Sequence, residues 1–255
     1  MKRFRADLHV HTVLSPCAEV EMIPPLIVHR ALNQNIDLIA ITDHNASANV
    51  SAVQKAAEGT DLTVLPGMEV QSREDVHLLT LFETLDSLEA WQTEVDRALP
   101  DWPNQSNFFG DQFVVDQTGE FLRSDPRLLS TATRLSIDEI FERVPQMGGL
   151  VIPAHVERTS YGLFPTLGLI SERWNVLALE VSRHTTPERA ARMFPALGKR
   201  PLIQSGDVHR LDEFLGTTVF TLAAPTLQEI GMAFARAGGR EVCIEPMSRN
   251  VPHFM

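Results

Sequence analysis

The chain has 255 residues, with Lys+Arg 22 against Asp+Glu 33 and a net charge of -11 at pH 7. That length suits one large α/β barrel or two ordinary domains, the hydrophobic share of 44% is that of a globular protein, and no apolar run is long enough for a transmembrane helix. Two cysteines, Cys17 and Cys243, make no disulfide framework, and the acidic balance argues against a general nucleic-acid surface, because phosphate backbones are held by Lys and Arg.

Residues 1–5 are basic but no apolar stretch follows, so no secretory signal is read and a cytoplasmic protein is expected. Residues 4–11 read as a strand. Within it, Asp7-Leu8-His9-Val10-His11 alternates, which would place Asp7, His9 and His11 on one face. Three ionisable groups facing inward are costly unless something satisfies them. Two imidazoles two residues apart can converge on one metal ion.

Residues 24–34 read as a helix opened by prolines. The nearly all-apolar residues 36–42 suit a strand buried on both faces and end in Asp43-His44. A helix over 46–58, closed by Gly59, precedes a strand over 62–70 that carries Glu69. A further strand over 76–82 carries His77. Glu69 and His77 lie symmetrically about Arg73, so a hairpin turning at 72–74 would make them cross-strand neighbours. A helix over 85–99 follows.

Residues 100–135 break this rhythm. They are rich in Pro, Asn, Asp and Gly, and 112–123 looks like a hairpin with its turn at 117–119. The segment is taken as an insertion, either a lid or a structural flap. Alternation resumes with a helix capped by Ser136 and Glu139, then strands over 149–154, 176–182 and 201–205. These end in His155, in Arg183-His184 and in Asp207-Val208-His209. A helix opened by Pro187 lies between the last two, and a strand–helix–strand tail spans 217–244. Cys243 is expected in the core, and His29 and His253 are taken as structural or surface residues.

The repeating unit is thus an apolar strand whose C-terminal end carries His, Asp or Glu. In a barrel of alternating strands and helices, active sites lie at that end. Six of the nine histidines fall at such positions or in the hairpin partner: His9, His11, His44, His77, His155 and His209. With Glu69 and Asp207 they exceed what one tetrahedral ion needs. Two or three divalent ions are the simplest accounting. The mixture of imidazole and carboxylate suits Zn, Mn or Fe better than Ca, with Mg as a further candidate.

Asp-Leu-His-Val-His-Thr at 7–12, Ile-Thr-Asp-His at 41–44, Gly-Met-Glu at 67–69, Val-His-Leu-Leu at 76–79, Pro-Ala-His at 153–155 and Ser-Gly-Asp-Val-His at 205–209 together resemble the PHP family. This is the polymerase-and-histidinol-phosphatase family of metal-dependent phosphoesterases. The motifs run in the family's order over nearly the whole chain apart from the insertion. The resemblance implies a distorted TIM-like barrel of seven strands, (β/α)7, in one domain over 1–255, with a trinuclear metal site at its C-terminal mouth. His9, His11, Glu69 and Asp207 would hold one ion. Glu69 would bridge to a second, held with His77 and His155, and His44 and His209 would hold a third. Where family members usually place Asp or His, this chain has Cys17, whose thiolate is a competent zinc ligand.

Asp7 and Asp43 adjoin ligands and are expected to accept imidazole N–H bonds, with Asp43 a ligand in the alternative. Arg158 and Arg183 would grip phosphate with two hydrogen bonds each, Arg73 is a third candidate, and His184 would act as general acid or phosphate contact. The expected reaction is hydrolysis of small phosphomonoesters, nucleotide phosphates among them, by a hydroxide that the metals share. Nucleic acid is expected to be an unlikely partner, because no aromatic-and-basic track for a strand is visible. Three other readings are an amidohydrolase-type metal hydrolase, a non-catalytic metal-binding or regulatory module, and an accessory exonuclease beside a polymerase. The Thr-Asp-His after the second strand and the paired Asp-x-His at 207–209 count against the first. The near-complete ligand set counts against the second, and the lack of a basic groove against the third.

Overall fold

The computed structural model describes residues 1–245, so His253 lies outside the described residues. The chain opens with β1 (Lys2–Val10), crosses by α1 (Pro24–Asn33) to the parallel β2 (Leu38–Ile41), and by α2 (Val50–Ala57) to the parallel β3 (Thr63–Gln71). All four residues of β2 are buried, as a strand between a helical layer and a barrel interior requires. The helix expected from residue 46 starts only at Val50. Asn49 is held outside the helix by its side chain, which donates to Thr12 Oγ1 and to the Phe113 carbonyl.

β4 (His77–Leu81) then enters antiparallel to β3 through a hairpin. Its register differs from the symmetric one expected: Glu69 stands opposite Leu79, and His77 opposite Gln71. The turn occupies 73–75, with Asp75 at φ 60°, so the centre shifts by one residue. Glu69 and His77 become diagonal neighbours, still on one face.

After α3 (Leu85–Ala98), the inserted segment forms α4 (Ser106–Phe109) and a hairpin of β5 (Phe113–Val115) and β6 (Phe121–Ser124). It is tied to the barrel: Phe113 N donates to the Val13 carbonyl, and Asn45 Nδ2 donates to the carbonyls of Leu129 and Thr131. Next come α5 (Ile137–Gln146), opened by the Ser136/Glu139 capping box, and β7 (Leu150–Pro153), antiparallel to β4. The short α6 (Leu163–Leu167) leads to β8 (Leu179–Val181), and α7 (Pro187–Met193) to the parallel β9 (Leu202–Gln204). β10 (Thr218–Leu222), α8 (Leu227–Phe234) and β11 (Glu241–Ile244) complete the described chain.

Seven strands form one curled sheet in the order β11-β10-β1-β2-β3-β4-β7. The β8–β9 pair lies between its ends. Val156 N donates to the Glu180 carbonyl on one side, and Val208 bridges to Val10 on the other. The fold is therefore mixed α/β and barrel-like, but β4, β10 and β11 run antiparallel to their neighbours and depart from a plain strand–helix succession. One apolar layer packs α1, α2, α3 and α5 against the outer face of the sheet. A second fills the interior with Ala6, Leu8, Leu38, Ala40, Leu65 and Leu79 and is closed by α8. Gly231 of α8 faces Leu150 at the start of β7, so α8 seals the end opposite His155. Cys243, expected in the core, is exposed because β11 is the edge strand of the sheet.

Trp91 anchors the outer layer. It is fully buried, and its Nε1 donates to Thr80 Oγ1 at 3.1 Å. Trp91→Ala is expected to cost about 3–5 kcal/mol, read as a lower urea midpoint with an unchanged far-ultraviolet spectrum at zero denaturant.

Candidate metal centre

The sheet turns its C-terminal edge into a ring of ligands, and a defect in β1 makes that possible. The β1–β2 register shifts between Asp7 and Val10. Before the shift, Ala6 and Leu8 point into the interior; after it, Val10 joins Ile41 under the helices. A one-residue bulge flips side-chain parity, so His9 and His11 point inward while Asp7 does not share their face. The Asp7 carboxylate instead accepts from the backbone N–H groups of Gly206 and Leu215. Asp43 accepts from Thr12 N, Thr12 Oγ1 and Ser15 Oγ. The expectation that these two aspartates take imidazole N–H bonds is thus corrected. Asp43 reaches His11 only through Ser15, whose Oγ lies 2.8 Å from His11 Nδ1.

The direct partner of His9 is a residue the sequence analysis missed. Glu180 in β8 is buried, and its Oε1 lies 2.9 Å from His9 Nδ1 while accepting the His155 N–H. An acidic residue between Leu179 and Val181 in an otherwise apolar strand was the available signal.

On the floor of the mouth, Glu69 is almost fully buried among imidazoles. His77 Nδ1 is 2.8 Å from its Oε1, and His155 Nε2 and His9 Nε2 are each 3.2 Å from the same oxygen. His44 Nδ1 approaches Oε2 to 2.9 Å, yet among the described residues Oε2 has no hydrogen-bond partner. His77 Nε2 and His155 Nδ1 are also buried without a partner. Asp207 Oδ1 lies 3.3 Å from His9 Nε2 and 3.5 Å from His11 Nε2. Three sets of ligand atoms each lie within 4.8 Å of one another: His9, His11 and Glu69; His44, Glu69 and His77; and His11, His44 and His209. Cys17, exposed at the rim, has its Sγ 3.3 Å from His44 Nε2. His155 and Asp207 sit at φ 29° and 50°. Such left-handed backbone in non-glycine residues clusters where function holds it.

The electrostatics point the same way. Asp7, Asp43, Glu69 and Glu180 are buried, and among the described residues no Lys or Arg is buried beside them. Burial disfavours a charged His9, but Glu69, Glu180 and Asp207 outweigh it and hold the imidazole well above its ordinary range. Burial takes His77 down to about 4 against the pull of Glu69. Burial raises the Cys17 thiol, and the adjacent His44 and His209 outweigh that and bring it down to about 6. Asp7 is pushed by burial up to about 7. Buried carboxylates require compensating charge. Close approaches without hydrogen-bond geometry, with buried nitrogens and an oxygen left over, are what ligands aimed at shared cations leave. The residues present therefore fit divalent metal ions.

Above the floor, a cleft of about 600 Å³ is lined by Cys17, His44, Glu69, His77, Asp207 and His209 together with Arg158, Arg183 and His184. Arg158 Nη1 is 2.6 Å from Asp207 Oδ2, and Arg183 pairs with Glu213 at 2.7 Å and donates to the Gly206 carbonyl. Arg73 does not line the cleft: its side chain is 65% exposed and pairs with Glu74. His9, His11 and His155 lie fully buried beneath. Phe109, Ser130 and Tyr161 are among the wall residues that were not foreseen, and the first two come from the insertion.

Residues 7–110 match the family model of the PHP domain. The 5'-3' exoribonuclease Rnm of Salmonella typhimurium is 31% identical over 80 residues, covering 29% of this chain and 26% of that protein. The matched region thus spans about a quarter of that relative. Among solved structures, a lesion-specific endonuclease from Pyrococcus furiosus superposes with a TM-score of 0.71 at 19% identity, over 94% of this chain and 58% of that one. A metal-dependent phosphoesterase from Bifidobacterium adolescentis, itself described as putative, superposes with a TM-score of 0.53 at 19% identity, over 80% and 87%. At these identities the structural likeness concerns the fold.

One expectation is overturned here. Nucleic acid was set aside as a partner on net charge and on the lack of an aromatic-and-basic track, yet one curated relative is an exoribonuclease, and a structural neighbour, Endonuclease Q, is described in complex with a 27-mer duplex carrying an abasic lesion at its active site. The physical reason is that net charge sums the whole surface, whereas recognition of a phosphate depends on the local field of the site. Among the described residues, no helix is long and apolar enough to cross a membrane.

Glu180→Gln keeps the shape of the His9 partner but removes its charge. It is expected to weaken metal retention by about 10–100-fold, measured as metal remaining after dialysis against graded chelator.

Proposed function

We propose that this protein is a metal-dependent phosphoesterase acting on the phosphate of a nucleotide, free or within a nucleic-acid chain. The observation that carries this reading is the convergence of six histidines, Glu69 and Asp207 on the floor of one cleft whose rim holds Arg158 and Arg183. In this reading His9, His11, Glu69 and Asp207 hold one ion. Glu69, His77 and His155 hold a second, and His44, His209 and Cys17 a third. Zn, Mn or Fe suits these donors, and Mg is a further candidate. Bound there, such ions supply an acidified water and neutralise charge on the phosphate oxygens.

The chain's own groups do the rest. Glu180 and Ser15 fix the tautomers and ring orientations of His9 and His11. Arg158 trades its Asp207 partner for a phosphate oxygen, and Arg183, steadied by Glu213, provides the second guanidinium. His184, exposed at the rim 3.4 Å from Arg183 Nε, would pass a proton to the leaving oxygen. A single domain over 1–255, read as a distorted seven-strand barrel with an insertion at 100–135, and a cytoplasmic site of action belong to the same proposal. The relatives that act on RNA and DNA support the substrate class.

The test is metal content by mass spectrometry on protein purified without chelator, with hydrolysis assayed on nucleotide monophosphates, nucleotide bisphosphates and short oligonucleotides. Two or three equivalents of metal are expected, with turnover that chelator abolishes and that His9→Ala lowers at least about 100-fold. Sub-stoichiometric metal with no turnover on any phosphoester would sink the reading.

A further inference from the structure

The cleft holds two aromatic side chains that phosphoester chemistry does not need. Tyr161 is 40% exposed and Phe109 is 37% exposed, and both line the same cleft as the ligands and the arginines. Tyr161 is the single tyrosine of the chain. Its ring lies parallel to the imidazole of His77, with centroids 4.4 Å apart and planes 6° apart.

That ring is held by a costly backbone. Tyr161 has φ 62°, a region that bulky residues seldom occupy. The loop enforces it. The His77 N–H donates to the Tyr161 carbonyl, and a side chain at Gly162 would meet the Arg158 carbonyl oxygen. The same turn therefore fixes Tyr161 and presents Arg158, three residues earlier. Phe109 is fixed from the other direction. Gly110 follows it at φ 102° and packs so closely on the Pro16 carbonyl that no side chain would fit, which ties the insertion to the loop carrying Cys17. Strained backbone that displays a half-exposed ring in a cleft is a feature whose retention calls for a use.

We propose that Tyr161 and Phe109 form a stacking subsite for the base of an unpaired nucleotide whose phosphate lies between Arg158 and Arg183. The proposal rests on the phosphoesterase reading and deepens it by naming what the cleft selects. One face of the Tyr161 ring is occupied by His77. A base on its other face extends the stack outward from the metal floor. Every base offers such a face, so the subsite selects an unstacked base without selecting its sequence. A paired base is stacked within its duplex and has no free face to offer. The insertion, which supplies Phe109, then acts as a fixed wall of the substrate site.

The test compares two fluorescein-labelled single strands of equal length. One carries thymine bases and the other carries base-free tetrahydrofuran residues, both phosphorothioate-linked so that cleavage does not intrude. Binding is read by fluorescence anisotropy. The wild-type protein is expected to prefer the base-bearing strand by about tenfold. Tyr161→Ala and Tyr161→Gly bring that ratio toward one, Tyr161→Phe keeps it, and Phe109→Ala lowers it. Tyr161→Gly relieves the left-handed backbone and is expected to melt no lower than wild type, which separates loss of stacking from loss of fold. Equal wild-type binding of the two strands, binding of neither, or a Tyr161→Ala loss shared equally by both overturns the proposal. If hydrolysis fails on every phosphoester while the preference survives, the phosphoesterase reading falls and the stacking subsite stands. If hydrolysis holds without the preference, the subsite alone falls.

Discussion

The structure depends on one buried carboxylate. Glu69 lies at the end of β3 with only 1% of its surface exposed, and the imidazoles of His9, His44, His77 and His155 converge on its two oxygens. A carboxylate at that depth is tolerable only when opposite charge surrounds it. Among the described residues no lysine or arginine is buried near it, so the compensation falls to imidazolium or to cations. Everything that carries those imidazoles must reach the same point: the ends of β1, β2 and β7 and the first residue of β4.

That requirement accounts for the irregularities of the barrel. The bulge in β1 brings His9 and His11 inward together, and it sends Asp7 to tie down Gly206 and Leu215 instead. The β3–β4 hairpin places His77 diagonally from Glu69. The left-handed residues His155 and Asp207 turn their chains sharply as they leave the strands. Departures from regular sheet geometry thus concentrate at the mouth, while the opposite end is closed by ordinary apolar packing of α8.

The cleft divides its labour by depth. The deepest layer is imidazole and carboxylate. Above it lie Arg158 and Arg183, each held in place by a carboxylate. The outermost layer holds Tyr161 and Phe109, one on the loop after β7 and the other on the insertion. An overall charge of -11 does not describe the cleft, whose rim carries the guanidinium groups of Arg158 and Arg183.

Much of this was legible in the sequence because it is local. Alternating apolar runs, the prolines opening α1 and the Ser136/Glu139 capping box are encoded within a few residues, and each appears where its pattern lies. Histidines at strand ends were readable for the same reason, since a strand fixes which end its last residue occupies. Tertiary structure decided what depends on register and on contacts between distant segments. The parity flip in β1 has no mark in the alternation of Asp7 to His11, because a bulge arises from pairing with β2. Glu180 and His9 are 171 residues apart, and their contact exists only because the β8–β9 pair lies between the ends of the curled sheet. Tyr161 and Phe109 gain meaning only from the cleft they share. The sequence by itself determined which residues are able to bind metal; the packing of strands against one another decided which of them meet, and what stands above them.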